Sequence, residues 1–281
     1  LCYAGNRRMI RSPERQPIQV RRYGQSGPVV VLLHGGPGAP GSVAPVARDL
    51  SDTFRVLEPL QRTSDDGPLD VQQHIDDLDE VITTWCADIK PLLIGHSWGA
   101  MLALAYAAQF PDTVGGLVLV GCGTFDPESR AVMQSTLKER ATPEFNNRLA
   151  RVTRGVTDPD VRMCVLARFL DPLYTYDGLP EEDETEDYDS RGHEESWNDM
   201  LRLQEQGVYP DAFKSIGVPV LMMHGSWDPH PGRMTYETLL RCMPQIDYVE
   251  MRDCGHYPWR ERRARDEFYL RLRNWLLAHA T

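Results

Sequence analysis

The sequence lacks the features of a membrane protein or a nucleic-acid-binding protein. Its longest apolar runs, such as residues 29–33, have the length of a strand and fall far short of the ~20 residues of a membrane-spanning helix. Lysine and arginine together number 30 against 41 acidic residues, and a net charge of −11 repels a phosphate backbone. We therefore expect no membrane insertion and no nucleic-acid partner.

Cysteine is too scattered to build a disulfide framework or a metal site. The six cysteines include no Cys-x-x-Cys pair, so we expect reduced thiols and no bound metal. Residues 1–22 are rich in arginine and contain no apolar segment of the kind found in a secretory signal peptide. This pattern predicts a cytoplasmic location.

What the chain does contain is an alternation of short apolar runs and helix-like stretches. The runs predict strands at 29–33, 54–60, 91–94, 117–120, 218–223 and 248–251. The intervening patterns predict helices at 69–85, 100–108, 234–242 and 266–279. Strand and helix in alternation indicate right-handed crossovers, and so an α/β fold with a mostly parallel, twisted sheet flanked by helices.

Residues 124–206 have a different character. They show little strand-like pattern, contain helix-like stretches at 161–170 and 194–206, and carry 19 acidic against 10 basic residues, a balance of −9. Most of the net charge therefore lies here. We interpret the segment as an acidic helical cap inserted into a catalytic domain formed by 1–123 and 207–281.

Two runs of charged residues have a simple structural interpretation. The acidic run at 181–187 would repel itself as a helix, which favours a solvated loop. The run Arg260-Glu261-Arg262-Arg263 mixes both signs and predicts a solvated helix face rather than a nucleic-acid patch.

The first motif that indicates a catalytic function is Gly95-His96-Ser97-Trp98-Gly99, which follows a predicted strand and begins a predicted helix. This is Gly-x-Ser-x-Gly in a strand–turn–helix context, the pattern of a nucleophile elbow. The glycines are needed because the turn is tight, and the turn exposes the Ser97 hydroxyl at the carboxyl edge of the sheet. Developing negative charge there is favoured by the helix N-terminus.

A serine nucleophile needs a base and an orienting carboxylate. Asp228 and His256 each follow a late predicted strand, and the chain order Ser97, Asp228, His256 is that of the α/β-hydrolases. All three lie where strands of a parallel sheet end, which is the edge that binds ligands. The competing histidines are interpreted as structural, and they are His34, His96, His224 and His230.

An oxyanion formed during acyl transfer needs two backbone N–H donors directed at one point. One is expected from Trp98, the residue after the nucleophile. The other is expected from Gly36 in the glycine-rich turn 34–38, which follows the first predicted strand.

Together, His34-Gly35-Gly36-Pro37-Gly38 and the elbow at 95–99 resemble the proline iminopeptidase branch of the α/β-hydrolases. The resemblance covers about residues 25–123 and 207–281. It implies an α/β-hydrolase fold and release of an N-terminal residue, often proline, from peptides or small amides without a cofactor. It also implies a helical cap whose acidic side chains bind the free α-amino group of the substrate.

The chain departs from this family after its second core strand. The family usually has Asp-Gln-Arg-Gly-x-Gly-x-Ser there, whereas this chain has Leu60-Gln61-Arg62 and then lacks both glycines. No clean motif marks the amine-binding carboxylates. The candidates, chosen because they lie in the cap near Trp197, are Glu194, Glu195 and Glu205.

These features favour a cofactor-independent serine hydrolase that acts on a small molecule or a short peptide with a free amino group. An aminopeptidase is the first interpretation, and an esterase, lactonase or amidase acting on a small acyl compound is the alternative. The serine argues against haloalkane and epoxide hydrolysis, which use an aspartate nucleophile on this fold. A non-catalytic hydrolase-fold binding protein and a cofactor-free oxygenase are less favoured, the former because all three triad residues are present.

Overall fold

The computed structural model describes residues 16–38, 40–87, 89–180 and 188–280. Within them, seven strands form one sheet: β1 (Val20–Tyr23), β2 (Val29–Leu33), β3 (Arg55–Pro59), β4 (Leu92–His96), β5 (Gly116–Val120), β6 (Val220–Gly225) and β7 (Ile246–Met251). Their order across the sheet is β1-β3-β2-β4-β5-β6-β7. Only β1 is antiparallel to its neighbour, and every other pair is parallel. The predicted α/β fold is confirmed.

The described residues also form nine α-helices. They are α1 (Ala44–Leu50), α2 (Val71–Cys86), α3 (Trp98–Gln109), α4 (Pro127–Arg140), α5 (Pro143–Val152), α6 (Pro159–Tyr174), α7 (Ser190–Glu205), α8 (Gly232–Leu240) and α9 (Arg265–His279). Helices α1 and α9 pack on one face of the sheet, and α2, α3 and α8 pack on the other. None of these helices is both long enough and apolar enough to cross a bilayer.

Both faces of the sheet are covered by helices, and this explains why its strands are continuous apolar runs in the sequence. In β2, Val29, Val31 and Leu33 contribute to the core under α2 and α3. Val30 and Leu32 contribute to the core under α1 and α9. Strands covered on both faces need apolar side chains at every position, and the runs found in the sequence are of this kind.

Between β5 and β6, the described residues form four helices, α4 to α7. Each begins after a residue whose side chain accepts a backbone amide: Asp126, Thr142, Asp158 and Asp189. Such residues are favourable N-caps. The helical character expected for 124–206 is present, while its status as a separate cap domain stays a prediction. The acidic run 181–187 and most of the segment 1–22 lie outside the described residues.

One interpretation of the charged runs is wrong. Residues 258–260 form a short 3-10 helix, and Glu261, which ends it, is fully buried rather than solvated. The mixed run therefore does not form an exposed helix face. Glu261, the acidic residue of this run, is instead packed in the protein interior.

Candidate active site

The turn between β4 and α3 has the strained geometry expected of a nucleophile elbow. Ser97 has φ 53° and ψ −115°, in a region that residues with side chains rarely adopt. A Cβ at Gly95 would overlap the carbonyl of Gly99, and one at Gly99 would overlap the carbonyl of Leu33. Glycine is therefore required at both positions, which leaves Ser97 partly exposed at the end of the strand.

His256 and Asp228 are brought together as the sequence predicts. The Nδ1 of His256 donates to Oδ2 of Asp228 at 2.6 Å, and both side chains are buried. The backbone N–H of His256 donates to the carbonyl of Tyr174 at 2.8 Å. The imidazole is thus held with Nδ1 protonated, which leaves Nε2 free to accept a proton.

Asp228 is surrounded by histidines, a feature that the sequence analysis missed. Nδ1 and the backbone N–H of His230 donate to its Oδ1 at 2.8 and 2.9 Å, and Nε2 of His224 lies 3.3 Å from Oδ2. The ring of His230 stacks on His256, with centroids 4.8 Å apart. Burial alone would raise the pKa of Asp228, but the facing imidazoles outweigh it and hold this pKa well below its usual range. The carboxylate therefore stays ionised at neutral pH.

His96 connects the elbow to the loop that carries His256. Its Nε2 donates to the carbonyl of His256 at 3.0 Å, and the two rings lie 4.7 Å apart. Burial lowers the pKa of His96 well below its usual range, so the ring is neutral. Because His96 directly precedes Ser97, these contacts place His256 next to the elbow. No hydrogen bond joins the Ser97 hydroxyl to His256 within the described part of the chain.

The two amides predicted to bind an oxyanion are unoccupied donors. Among the described residues, neither the N–H of Gly36 nor that of Trp98 donates a hydrogen bond. Gly36 has φ 44°, a backbone conformation that glycine adopts readily. Both amides are therefore available to a substrate oxygen, and their role stays a prediction.

Gln61 links the turn at 34–38 to the side chain of Trp98. Its side-chain oxygen accepts from the indole N–H of Trp98 at 2.8 Å, and its side-chain nitrogen donates to the carbonyl of His34 at 3.0 Å. The backbone N–H of Gln61 also donates to Nε2 of His34 at 3.0 Å. The glutamine retained from the family pattern thus joins the glycine-rich turn to the elbow. The neighbouring Arg62 is structural, since it forms a bidentate pair with Asp77 at 2.9 Å.

A second serine–histidine pair occurs between α2 and α7. His74 Nε2 lies 2.8 Å from the Ser196 hydroxyl. Ser196 is fully buried, and Nδ1 of His74 has no hydrogen-bond partner in the described residues. Burial lowers the pKa of His74 to about 4. Without access or an orienting carboxylate, this pair is a packing contact between helices rather than a nucleophile and its base.

The three glutamates proposed to bind an amino group are not gathered at one point. Glu194 and Glu205 are exposed on α7. Glu195 is half-buried and accepts from the N–H of Leu69 at 2.9 Å, while Arg191 lies 3.8 Å away. The structure therefore gives Glu195 a role in attaching α7 to the segment before α2. Amine binding by these residues stays a prediction.

Glu261 is the residue near the site that sequence reasoning misread. Its buried carboxylate accepts three backbone amides, from Tyr176 at 2.8 Å, Asp177 at 2.7 Å and Gly255 at 2.8 Å. Two of these amides follow α6, and the third directly precedes His256. One carboxylate thus fixes the end of α6 to the loop that holds the candidate base.

We expect Glu261→Gln to destabilise the protein and lower turnover. The amide would direct an NH₂ group at backbone donors and leave at least one of them unpaired in the interior, at a cost of about 2–4 kcal/mol in the free energy of unfolding. Urea denaturation measures this change. The control is Glu237→Gln on α8, an exposed residue paired with Arg233, which should change stability by less than about 0.5 kcal/mol. Equal effects in both variants would contradict the assigned role.

Comparison with known sequences agrees with this geometry. Residues 30–269 match the sequence profile of the Alpha/beta hydrolase family, and the chain therefore belongs to this family. A cis-3-alkyl-4-alkyloxetan-2-one decarboxylase from Shewanella oneidensis is 30% identical over 36% of this chain and 34% of the relative. A proline iminopeptidase from Neisseria gonorrhoeae is 27% identical over 72% of this chain and 66% of the relative. The chain thus spans between about a third and two thirds of these relatives.

Solved structures show the same fold. An esterase from Thermogutta terrifontis superposes with a TM-score of 0.62, covers 94% of both chains and is 20% identical. At this identity the likeness concerns the fold alone. The expected α/β-hydrolase fold is confirmed, and the chain is a member of a hydrolase family.

Proposed function

We propose that the protein is a serine hydrolase that transfers an acyl group from Ser97 to water. The observation that carries this proposal is the 2.6 Å bond between His256 and Asp228 beside a strained, partly exposed serine. A paired base and carboxylate next to a serine at an elbow is the arrangement that nucleophilic acyl transfer requires. The family membership supports it.

Each group has one role in the proposed reaction. Ser97 attacks the substrate carbonyl while His256 Nε2 takes its proton and later gives it to the leaving group. Asp228 keeps the imidazole in the required tautomer and stabilises its protonated form. The amides of Gly36 and Trp98 donate to the oxyanion, and water then repeats the attack on the acyl-enzyme.

For the substrate, we propose an aminopeptidase that releases an N-terminal residue from a short peptide or a small amide. Support comes from the glycine-rich turn at 34–38, from the elbow at 95–99 and from the proline iminopeptidase relative. The acidic balance of residues 124–206 favours a cationic amino group near the site.

A second substrate class is supported by one specific observation. Glu195 is bound to the Leu69 amide, and Glu194 and Glu205 are exposed, so the described contacts direct none of them at the triad. A hydrolase of a small ester or amide needs no amine-binding carboxylate. This arrangement favours the esterase or amidase alternative.

One comparison separates the two classes. A free aminoacyl-arylamide and its N-acetyl counterpart should differ about 10- to 150-fold in kcat/KM if a carboxylate binds the amino group, the range expected for a hydrogen bond to a charged group. The preference should weaken in Glu194→Gln, with Glu237→Gln as a matched loss of negative charge outside α7. Equal rates on both arylamides, with faster hydrolysis of short acyl esters, would assign the protein to the second class.

A further inference from the structure

Arg140 lies at the end of α4, where this helix approaches the loop that carries Asp228. Its guanidinium carbon lies 4.1 Å from the centroid of the Trp227 ring, and Nη1 donates to the carbonyl of Leu173 at 2.6 Å. Trp227 directly precedes Asp228, and Leu173 directly precedes Tyr174. Arg140 is therefore held by both segments that border the candidate base.

Within the described residues, no carboxylate neutralises the charge of Arg140. Among the described residues, no carboxylate lies within ion-pair distance of its guanidinium, although the side chain is half-buried. Other partly buried arginines are paired, such as Arg62 with Asp77 and Arg260 with Asp171. Burial lowers the pKa of Arg140, and the charge of Asp228 acts in the opposite direction. A partly desolvated cation without a partner is unfavourable unless a ligand supplies the anion.

Tyr174 adds a second donor at the same place. Its ring lies 5.5 Å from that of His256 and 6.2 Å from that of His230. Its hydroxyl makes no hydrogen bond within the described part of the chain, and burial raises its pKa to about 12, so it remains protonated. Tyr174 directly follows Leu173, whose carbonyl accepts from Arg140, so both side chains belong to one junction. Within the described residues, the Nε and Nη2 groups of Arg140 and the hydroxyl of Tyr174 thus donate no hydrogen bond.

We propose that Arg140 and Tyr174 form a subsite that binds a carboxylate of the substrate. Because Nη1 is held by Leu173, the opposite edge of the guanidinium, Nε and Nη2, remains for a bidentate contact with two carboxylate oxygens. The cation–π contact with Trp227 holds the guanidinium close to the loop that carries Asp228. The inference rests on the proposed serine hydrolase activity and adds an anionic group to its substrate.

A carboxylate reaches this subsite from one of two parts of a substrate. In a peptide it is the free C-terminus of the leaving group, and in an ester it is a second carboxyl group on the acyl chain. The chemistry recognised is the same in both. The experiment therefore uses two substrate pairs, each differing only in that charge.

The first pair is a dipeptide with a free C-terminus and the same dipeptide as its C-terminal amide. The second pair is the mono-4-nitrophenyl ester of succinic acid and its methyl ester. The measured quantity is the charge preference, defined as the ratio of kcat/KM for the charged member to kcat/KM for the neutral member. It is compared in the unmodified protein, in Arg140→Gln, in Tyr174→Phe and in Lys138→Gln.

We expect the unmodified protein to prefer the charged member of at least one pair. Arg140→Gln should lower this preference about 10- to 100-fold, and Tyr174→Phe about 3- to 10-fold, as expected for losing charged and neutral hydrogen bonds. Arg140→Lys should restore part of the preference, since lysine keeps the charge but not the fork. Lys138→Gln removes one exposed positive charge from the same helix and should leave the preference unchanged, which separates a direct contact from a long-range field.

A binding measurement covers the case in which Arg140→Gln lowers all activity. Succinate should inhibit hydrolysis of the neutral ester competitively, and its inhibition constant should rise at least about tenfold in Arg140→Gln. An unchanged charge preference in both pairs, together with an unchanged inhibition constant, overturns the subsite. Hydrolysis that survives Ser97→Ala overturns the proposed function instead, so the two failures are distinguishable.

Discussion

Replacing Ser97 with alanine should lower kcat/KM by about 10³-fold or more, while the fold remains intact. Alanine lacks the oxygen that attacks the carbonyl, but its Cβ fits the same strained position at φ 53°. Unfolding by urea should therefore be nearly unchanged. A fluorophosphonate probe, which reacts with activated serine hydroxyls, provides the direct measurement and should label the unmodified protein but not Ser97→Ala.

Ser196 offers the matched control, because its hydroxyl is hydrogen-bonded to a histidine, His74, away from the elbow. Ser196→Ala should still be labelled by the probe, since the Ser196 hydroxyl is buried and His74 has no orienting carboxylate in the described part of the chain. Loss of labelling in Ser196→Ala with retention in Ser97→Ala would show that the nucleophile has been misassigned.

The second large effect is expected at Asp228. Asp228→Asn should lower kcat about 10⁴-fold, the loss known for removing this charge from a triad whose geometry is intact. The amide NH₂ would face Nδ1 of His256 and favour the tautomer with the proton on Nε2, which cannot accept the proton of Ser97. His256→Ala should reduce turnover at least as strongly. Steady-state kinetics with one substrate measures both.

His230→Ala tests whether the base has been assigned correctly. His230 donates to Oδ1 of Asp228, whereas His256 donates to Oδ2, so the two imidazoles share one carboxylate. Losing His230 removes one hydrogen bond to a charged group and should lower kcat by about tenfold. If His230→Ala were more damaging than His256→Ala, His230 would be the base.

The central part of the fold was accessible from sequence because each element there has a clear local cause. The predicted strand at 29–33 coincides with β2, and the predicted helix at 100–108 lies within α3. Strands of a parallel sheet are covered on both faces, so their apolar runs are uninterrupted. The elbow between β4 and α3 is equally local, since its glycines are required by contacts within the turn.

Elements that depend on tertiary context were not predicted. Strand β1 is only four residues long, contains Arg21 and Arg22, and lies at the edge of the sheet, where polar side chains remain solvated. Helix α1 is short and carries no side-chain N-cap hydrogen bond. Neither leaves a strong pattern in the sequence.

In the candidate site, too, some contacts follow from the fold and others depend on tertiary contacts that leave no sequence pattern. Asp228 and His256 follow strands whose ends meet at one edge of the sheet, so their approach follows from topology. The bond from His230 to Asp228 depends instead on the path of the loop after β6. The burial of Glu261 depends on two amides from the distant segment after α6 and one from the nearby Gly255, and a mixed-charge run gives no sign of it.

Glu261 also constrains how this protein can be recombined with its relatives. Two of the three amides that it accepts belong to Tyr176 and Asp177, within the segment 124–206 that a chimaera would exchange. Any graft must present two main-chain N–H groups at these positions, and proline is incompatible with either because it has no N–H. Side-chain identity there is otherwise unconstrained by this contact. A crossover that retains residues 175–178 preserves the junction, whereas a graft with proline at position 176 or 177 removes one of the donors of this buried carboxylate.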